Sequence, residues 1–377
     1  LASAGGGRSA TVIGVTNNHG APALSVINKQ HSLRTELKGE NMKRKAFIFA
    51  IALVAFINVV TFAQTPTPNT QQPKLAPDEG KFVDKITAAP DPAGKLAAAA
   101  ELIKKYPKTA IRGQVVLELA NIIREVKDPA QKLTLAQQLQ TMFNDPADEP
   151  TVTPVVIDAL ANANQLDQAF AKGSDFLARN PESIEVLVEL VSIGAEQAKK
   201  QNTKFVDQSI RYGTQAIALA DANKKPADFD DATWQRFKTT TVPSLHQSLG
   251  LLYMVKGSNS EAKANYVKAS QAAPSDPFNF VMIAALMNDE YQAQAKAYQA
   301  MAAGTPKEVQ LKKVEALLDT VIDAYAHAIA VSEGSAPLAQ VRQQYLEDLE
   351  KYYKFRHNNS TTGMQQLIDK YKTAPKP

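Results

Sequence analysis

The 377-residue chain contains no cysteine. That excludes disulfides, thiolate metal sites and cysteine nucleophiles, and also the lipid-bearing cysteine of an exported lipoprotein. Such a composition fits an oxidising compartment without demanding one. Histidine is scarce as well, with 5 in all, and beyond residue 63 only His246, His327 and His357 remain. None belongs to H-E-x-x-H or another obvious metal-ligand pattern, and no serine stands in G-x-S-x-G. No catalytic, cofactor-binding or metal-ligating residue can be named, so the chain is expected to be no enzyme and to need no cofactor.

A basic surplus is also lacking once the chain is taken in parts. The formal net charge is +4, but residues 1–63 hold 7 Lys/Arg against 2 Asp/Glu, which leaves 35 basic and 36 acidic residues in 64–377. That near-neutral remainder has no clustered Lys and Arg with which to displace counterions, and no nucleic-acid partner is expected. Sustained alternation of apolar and polar residues is missing after residue 78, whereas apolar residues recur at spacings of three and four. These absences leave an all-α fold.

Long apolar runs are confined to one place. Residues 1–41 are rich in Gly, Ser, Asn and Ala and read as disordered or as upstream translation; Gly5-Gly6-Gly7-Arg8-Ser9 lacks the spacing of a phosphate loop. Met42 then opens Lys43-Arg44-Lys45 followed by AFIFAIALVAFINVVTFA, which looks like a bacterial export signal over 42–63 with cleavage after Ala63. Asn58 shortens the best apolar part toward the length of a signal core. The expected location is periplasmic or secreted, with no stable membrane insertion after cleavage; the alternative is an uncleaved segment anchored in the inner membrane. Residues 64–78 form a Pro/Thr/Gln linker, extended because proline blocks helix and nothing there can enter a core.

From 79 to 377 the pattern predicts helices near 80–88, 92–106, 109–126, 129–143, 151–163, 165–179, 182–199 and 203–222. Breaks fall at Pro107, Asp128-Pro129, the Asp145-to-Pro154 region and Asn180-Pro181. Residues 223–242 read as a connection. Asp228, Asp230 and Asp231 lie close together there, but an EF-hand loop needs Gly and Glu where Thr233 and Thr239 stand, so capping of a helix at DATWQRFK is the expectation. Trp234, the single tryptophan, is expected to form an apolar ridge with Phe237.

One hairpin is spelled out in residues 243–276. Leu249, Gly250 and Tyr253 share one face of a first helix, Gly257-Ser258 breaks it, and Ala262, Tyr266 and Ala269 line a second helix before Pro274. Small residues at Gly250, Ala262 and Ala269 let two helices approach, while Leu249, Tyr253 and Tyr266 fill the space beside them. With His246 in the place of tryptophan, this resembles the tetratricopeptide repeat, whose pattern W-x2-L-G-x2-Y…A-x3-F…P recurs about every 34 residues. Gly173 occupies the aromatic position in the looser second helix from Ala169 to Pro181.

The resemblance implies a right-handed superhelical array of antiparallel helix hairpins, a TPR-like α-solenoid, because one repeat cannot bury its own faces. It further implies a scaffold that holds a protein or peptide partner of unknown identity in a concave groove. The corresponding positions are Ser244, Gln247, Leu251, Met254 and Val255, then Phe278, Val281, Ala285 and Asn288 in the next unit. Packing of these same positions against a neighbouring repeat is the open alternative. An exported helical protein that binds glycan or envelope material is the second functional reading, for which an exposed aromatic platform, Trp234 first, would speak.

Beyond the hairpin, Pro277–Met287 reads as another first helix, followed by an inserted helix in 289–313 and a second apolar face over Val314–Val331. A helix over 335–354 and a closing segment with Met364, Leu367, Ile368 and Tyr371 complete the chain, with Ser360 and Thr361 as candidate N-caps. The basic aromatic stretch Lys351–His357 lies beside Glu347, Asp348 and Glu350 and is expected to shield the last hydrophobic face.

Overall fold

The computed structural model describes residues 78–227 and 229–372. Among these residues every regular element is helical, as the spacing predicts. The expected signal segment 42–63 and all but the last residue of the linker lie outside the described residues. No described helix is long and apolar enough to cross a membrane. The chain divides between Ser248 and Leu249 into two compact units.

The first unit begins with α1 (Glu79–Ala88), α2 (Pro92–Lys105), α3 (Arg112–Arg124) and α4 (Pro129–Met142). It continues with α5 (Glu149–Asn162), α6 (Leu166–Arg179), α7 (Ile184–Lys199) and α8 (Val206–Asp221). Two starts are set by Asp-Pro pairs: Asp91 and Asp128 accept from the backbone N–H groups of Gly94 and Gln131, each at 2.7 Å, while the following proline occupies a position that has no hydrogen-bond partner to lose. Each helix packs on the next, and α2 on α4, α3 on α5, and α5 on α7 as well. The core is mostly aliphatic, with Leu102, Leu119, Ile123, Leu139, Ile157, Leu187 and Leu190 fully buried, and Phe143 and Phe176 buried among them.

Several helices stop by the same device. Asn164, Gln201, Asn223, Gly257 and Asn358 have left-handed backbones with φ between 50° and 82°. The next N–H in each case returns to a carbonyl one turn back, as Gln165 N–H does to Leu160 and Ser258 N–H to Tyr253. Asparagine and glycine tolerate this conformation well; Gln201 is the costly member of the set.

The predicted connection 223–242 is shorter than expected. A short α9 (Asp231–Arg236), capped by Asp230 accepting from Thr233 N–H at 2.6 Å, runs through a π-helical turn (Phe237–Thr241) into α10 (Val242–Lys256). The backbone stays helical at Arg236 and Val242, so no loop intervenes. The division between the two units falls within α10.

In the second unit α11 (Asn259–Ala272) is followed by α12 (Pro277–Ala300) and α13 (Thr305–Val331). The expected separate helix in 289–313 is absent. Its residues instead lengthen α12 and α13 to 24 and 27 residues: no glycine or proline interrupts α12, which ends where Met301 turns extended, and Gly304, with φ of +139°, precedes the start of α13. A 3-10 turn (Ala336–Leu338) leads into α14 (Ala339–Arg356), and α15 (Met364–Lys372) closes the described chain. Both α14 and α15 pack on α13. Ser360 caps a turn and not the helix, accepting from Thr362 N–H at 3.1 Å, and α15 starts after Gly363.

Candidate interaction site

The hairpin residues take the places their spacing predicts. Ala262, Tyr266 and Ala269 are fully buried on α11, Leu249 is buried on α10, and Tyr253 is half-buried. A β-carbon on Gly250 would fall 2.8 Å from the Tyr266 ring, so the two helices meet where only glycine fits. His246 is buried on α10, and Pro274 lies exposed beyond the end of α11. Gly173 and Gly194 repeat the relationship in the first unit. A β-carbon on Gly173 would lie 2.6 Å from Leu190 Cδ1, and one on Gly194 would lie 1.8 Å from Ser209 Oγ.

Most of the nine groove positions have little surface to offer. Leu251, Met254, Phe278, Val281, Ala285 and Asn288 are buried, with relative exposures from 1% to 7%. Phenols from α14 reach the α12 positions: Tyr345 donates to the Val281 carbonyl and Tyr352 donates to Asn288 Oδ1, both at 2.9 Å. Ser244, Gln247 and Val255 keep partial exposure on α10.

Trp234 is not a stacking platform. It is 4% exposed, donates from Nε1 to Asn223 Oδ1 at 2.9 Å, and lies parallel to Phe237 with ring centroids 5.3 Å apart. Nor does Lys351–His357 present free cations. Lys351 pairs with Asp348, Lys354 with Glu350, and Arg356 grips Asp319 through two hydrogen bonds of 2.7 and 2.8 Å.

A cleft of about 510 Å³ opens between α12 and α13, lined by Phe280, Ile283, Met287, Asp319, Asp323 and His327. Its polar groups hold the fold together. Asp319 is taken by Arg356, and Asp323 accepts the Tyr371 hydroxyl at 2.5 Å. His327 is stacked between Phe280 and Tyr371 with centroids 4.2 and 4.1 Å away, and burial lowers its pKa below the usual imidazole range. A second cleft, of about 570 Å³ between α2 and α4, is lined by Ile103, Lys104, Thr134, Gln137 and Thr141, with Lys104 its one charged side chain.

The richest polar constellation was not foreseen from the sequence. It lies where α3, α4, α5 and α7 come together. Lys132 on α4 donates to Asp158 on α5 at 2.9 Å, both nearly buried, and Asn162 donates to the other Asp158 oxygen at 2.7 Å. Arg124 at the end of α3 pairs with Glu185 on α7. Glu189, one turn further along α7, makes no hydrogen bond or ion pair with any described residue. Its carboxyl is pushed up to about 8, first by burial and then by the Asp158 charge; Glu185 adds to the rise, and Arg124 and Lys132 oppose it. The sequence did carry a signal: Asp158 in VVIDAL and Glu189 in VLVELV are single charges inside apolar runs.

No family model matches this sequence, and no curated protein matches it either.

Proposed function

We propose that the chain is an exported, non-enzymatic scaffold of tetratricopeptide-repeat type, which binds a protein or peptide partner on a right-handed superhelical stack of antiparallel hairpins. The observation that carries this reading is the Gly250–Tyr266 contact with Ala262 and Ala269 fully buried beside it. That is the close helix approach for which the repeat selects its small residues. Serial packing of neighbouring helices in the first unit supports stacking. The leader-like segment 42–63 supports export.

Partner contact is assigned to the partly exposed stripe Ser244, Gln247 and Val255 on α10, since the buried groove positions would have to unpack first. The test is an affinity capture from intact cells with the full chain, wild type against Ser244→Arg, after circular dichroism shows equal helicity. Loss of one reproducible partner from the variant is expected. Identical captures from both forms, or none from either, contradict the reading.

A further inference from the structure

The imidazole of His327 on α13 is sandwiched between two other helices. Phe280 on α12 covers one face and Tyr371 on α15 the other, with ring centroids 4.2 and 4.1 Å away, and the Tyr371 ring lies within 9° of parallel. This contact matters to α15 because that helix has little else to hold it. It is 9 residues long, too short to persist unaided, and Ile368 is its one buried residue. Its polar ties are few: the Tyr371 hydroxyl donates to Asp323 at 2.5 Å, Lys370 stands 3.6 Å from Asp323, and Lys372 pairs with Glu333 at 3.0 Å. His327 also lines the cleft between α12 and α13, beside Phe280 and Ile283. Lifting α15 away therefore bares His327 and opens that end of the cleft.

We propose that α15 is a strap whose closure on α13 is set by pH through His327: the neutral imidazole lets the helix dock, and the imidazolium releases it. The geometry supplies the cause. An imidazole between two rings has both faces out of water, which the neutral ring tolerates and the cation does not. Charged groups of both signs face it. On α13 Asp323 favours the cation; on α15 Lys370 opposes it, and the Tyr371 phenol is turned to Asp323. From α12 come the uncharged Phe280, Ile283 and Met287. Burial outweighs Asp323 and holds the docked imidazole below its ordinary 6.5.

The sign follows from which state binds the proton better. Undocking returns one face of the ring to water and moves its titration back toward 6.5, so the undocked form takes up the proton first. Docking is full above pH 6.5 and is lost as pH falls below it toward the docked value. A single imidazole with an ordinary value of 6.5 weakens docking by about tenfold at most between pH 7.5 and 5.5. Such a strap operates whether or not the chain is a scaffold.

The experiment is amide hydrogen exchange on the full chain at pH 7.5 and 5.5, read as the protection factor of Ile368 on α15 and of Ile329, fully buried in α13. Proton NMR follows the His327 ring in wild type and in Tyr371→Ala. In wild type the Ile368 protection is expected to fall by about three- to tenfold at the lower pH while that of Ile329 holds. His327→Phe, which keeps a stacked ring and removes the titration, is expected to give Ile368 the same protection at both pH values. In Tyr371→Ala the His327 titration is expected to move up toward 6.5. The proposal is overturned if wild-type Ile368 protection is independent of pH, if His327→Phe keeps the dependence, if Ile329 loses protection in step with Ile368, or if His327 titrates identically with and without Tyr371.

Discussion

Gly250 on α10 faces Tyr266 on α11 so closely that a β-carbon on the glycine would lie 2.8 Å from Cε2 and Cζ of the tyrosine ring. The tyrosine is fully buried, and its hydroxyl has no hydrogen-bond partner among the described residues. Shape and polarity pull in opposite directions at this contact: the ring is needed, the hydroxyl is not.

Tyr266→Phe is accordingly expected to stabilise the protein by about 1 kcal/mol, because it removes a dehydrated, unsatisfied polar atom and keeps the ring. Gly250→Ala is expected to cost about 1–3 kcal/mol by overpacking the same contact. Urea unfolding of both variants checks the pair. A destabilised Tyr266→Phe would show that the hydroxyl has a partner after all.

Gly194 and Ser209 should behave as a coupled pair. Gly194→Ala introduces a methyl group whose carbon would lie 1.8 Å from Ser209 Oγ and 2.7 Å from Ser209 Cβ. A loss of about 2 kcal/mol or more is expected, and the double variant Gly194→Ala/Ser209→Gly should regain much of it. Simple additivity in the double-mutant cycle would contradict the contact.

The Lys132–Asp158 pair is the most buried ion pair of the first unit, with side-chain exposures of 8% and 12%. Lys132→Met alone leaves Asp158 charged and uncompensated and is expected to destabilise by about 3–5 kcal/mol. Lys132→Met/Asp158→Leu should recover most of that. Thermal unfolding of the three proteins, wild type included, distinguishes a costly broken pair from a pair that contributes nothing.

Glu189 also predicts how stability depends on pH. Its folded-state pKa, about 8, lies above the ordinary 4.5, so between these values the folded chain holds a proton that the unfolded chain has released. Its contribution to stability is full below pH 4.5 and is lost as pH rises toward 8. Asp289, raised to about 6 by burial, acts in the same direction over a narrower window. The difference in melting temperature between Glu189→Gln and wild type should therefore grow in favour of the variant from pH 5 to pH 8. A constant difference would place Glu189 in ordinary solvent.

Gln201 closes α7 with φ of 64°, a conformation that costs a β-carbon-bearing residue about 1 kcal/mol. Gln201→Gly is expected to raise stability by up to that amount, read as a shift in urea midpoint.

What could be read in advance follows from where the determining contacts lie. The α10–α11 hairpin was legible because Gly250, Ala262, Tyr266 and Ala269 both carry the pattern and make the contact, all within 20 residues. Helix starts at Asp91-Pro92 and Asp128-Pro129 were legible for the same reason, since cap and proline are neighbours. The long α12–α13 hairpin was not, because residues 289–303 contain no glycine or proline to set a boundary and repeat spacing suggested one too early. The burial of Val281 and Asn288 was hidden by distance: the phenols that reach them, Tyr345 and Tyr352, lie 64 residues further along. The Glu189 cluster was missed for that reason too, as its members span Arg124 to Glu189 and meet only through packing of four helices.

The most direct measurement is in-cell photo-crosslinking with p-benzoylphenylalanine placed at Ser244, partly exposed on α10, and at Thr239, exposed in the π-helical turn before it. If the chain is a protein-binding array that uses the α10 stripe, Ser244 gives one discrete heterologous adduct and Thr239 gives none. Equal labelling from both positions, or no adduct from Ser244, contradicts the scaffold account.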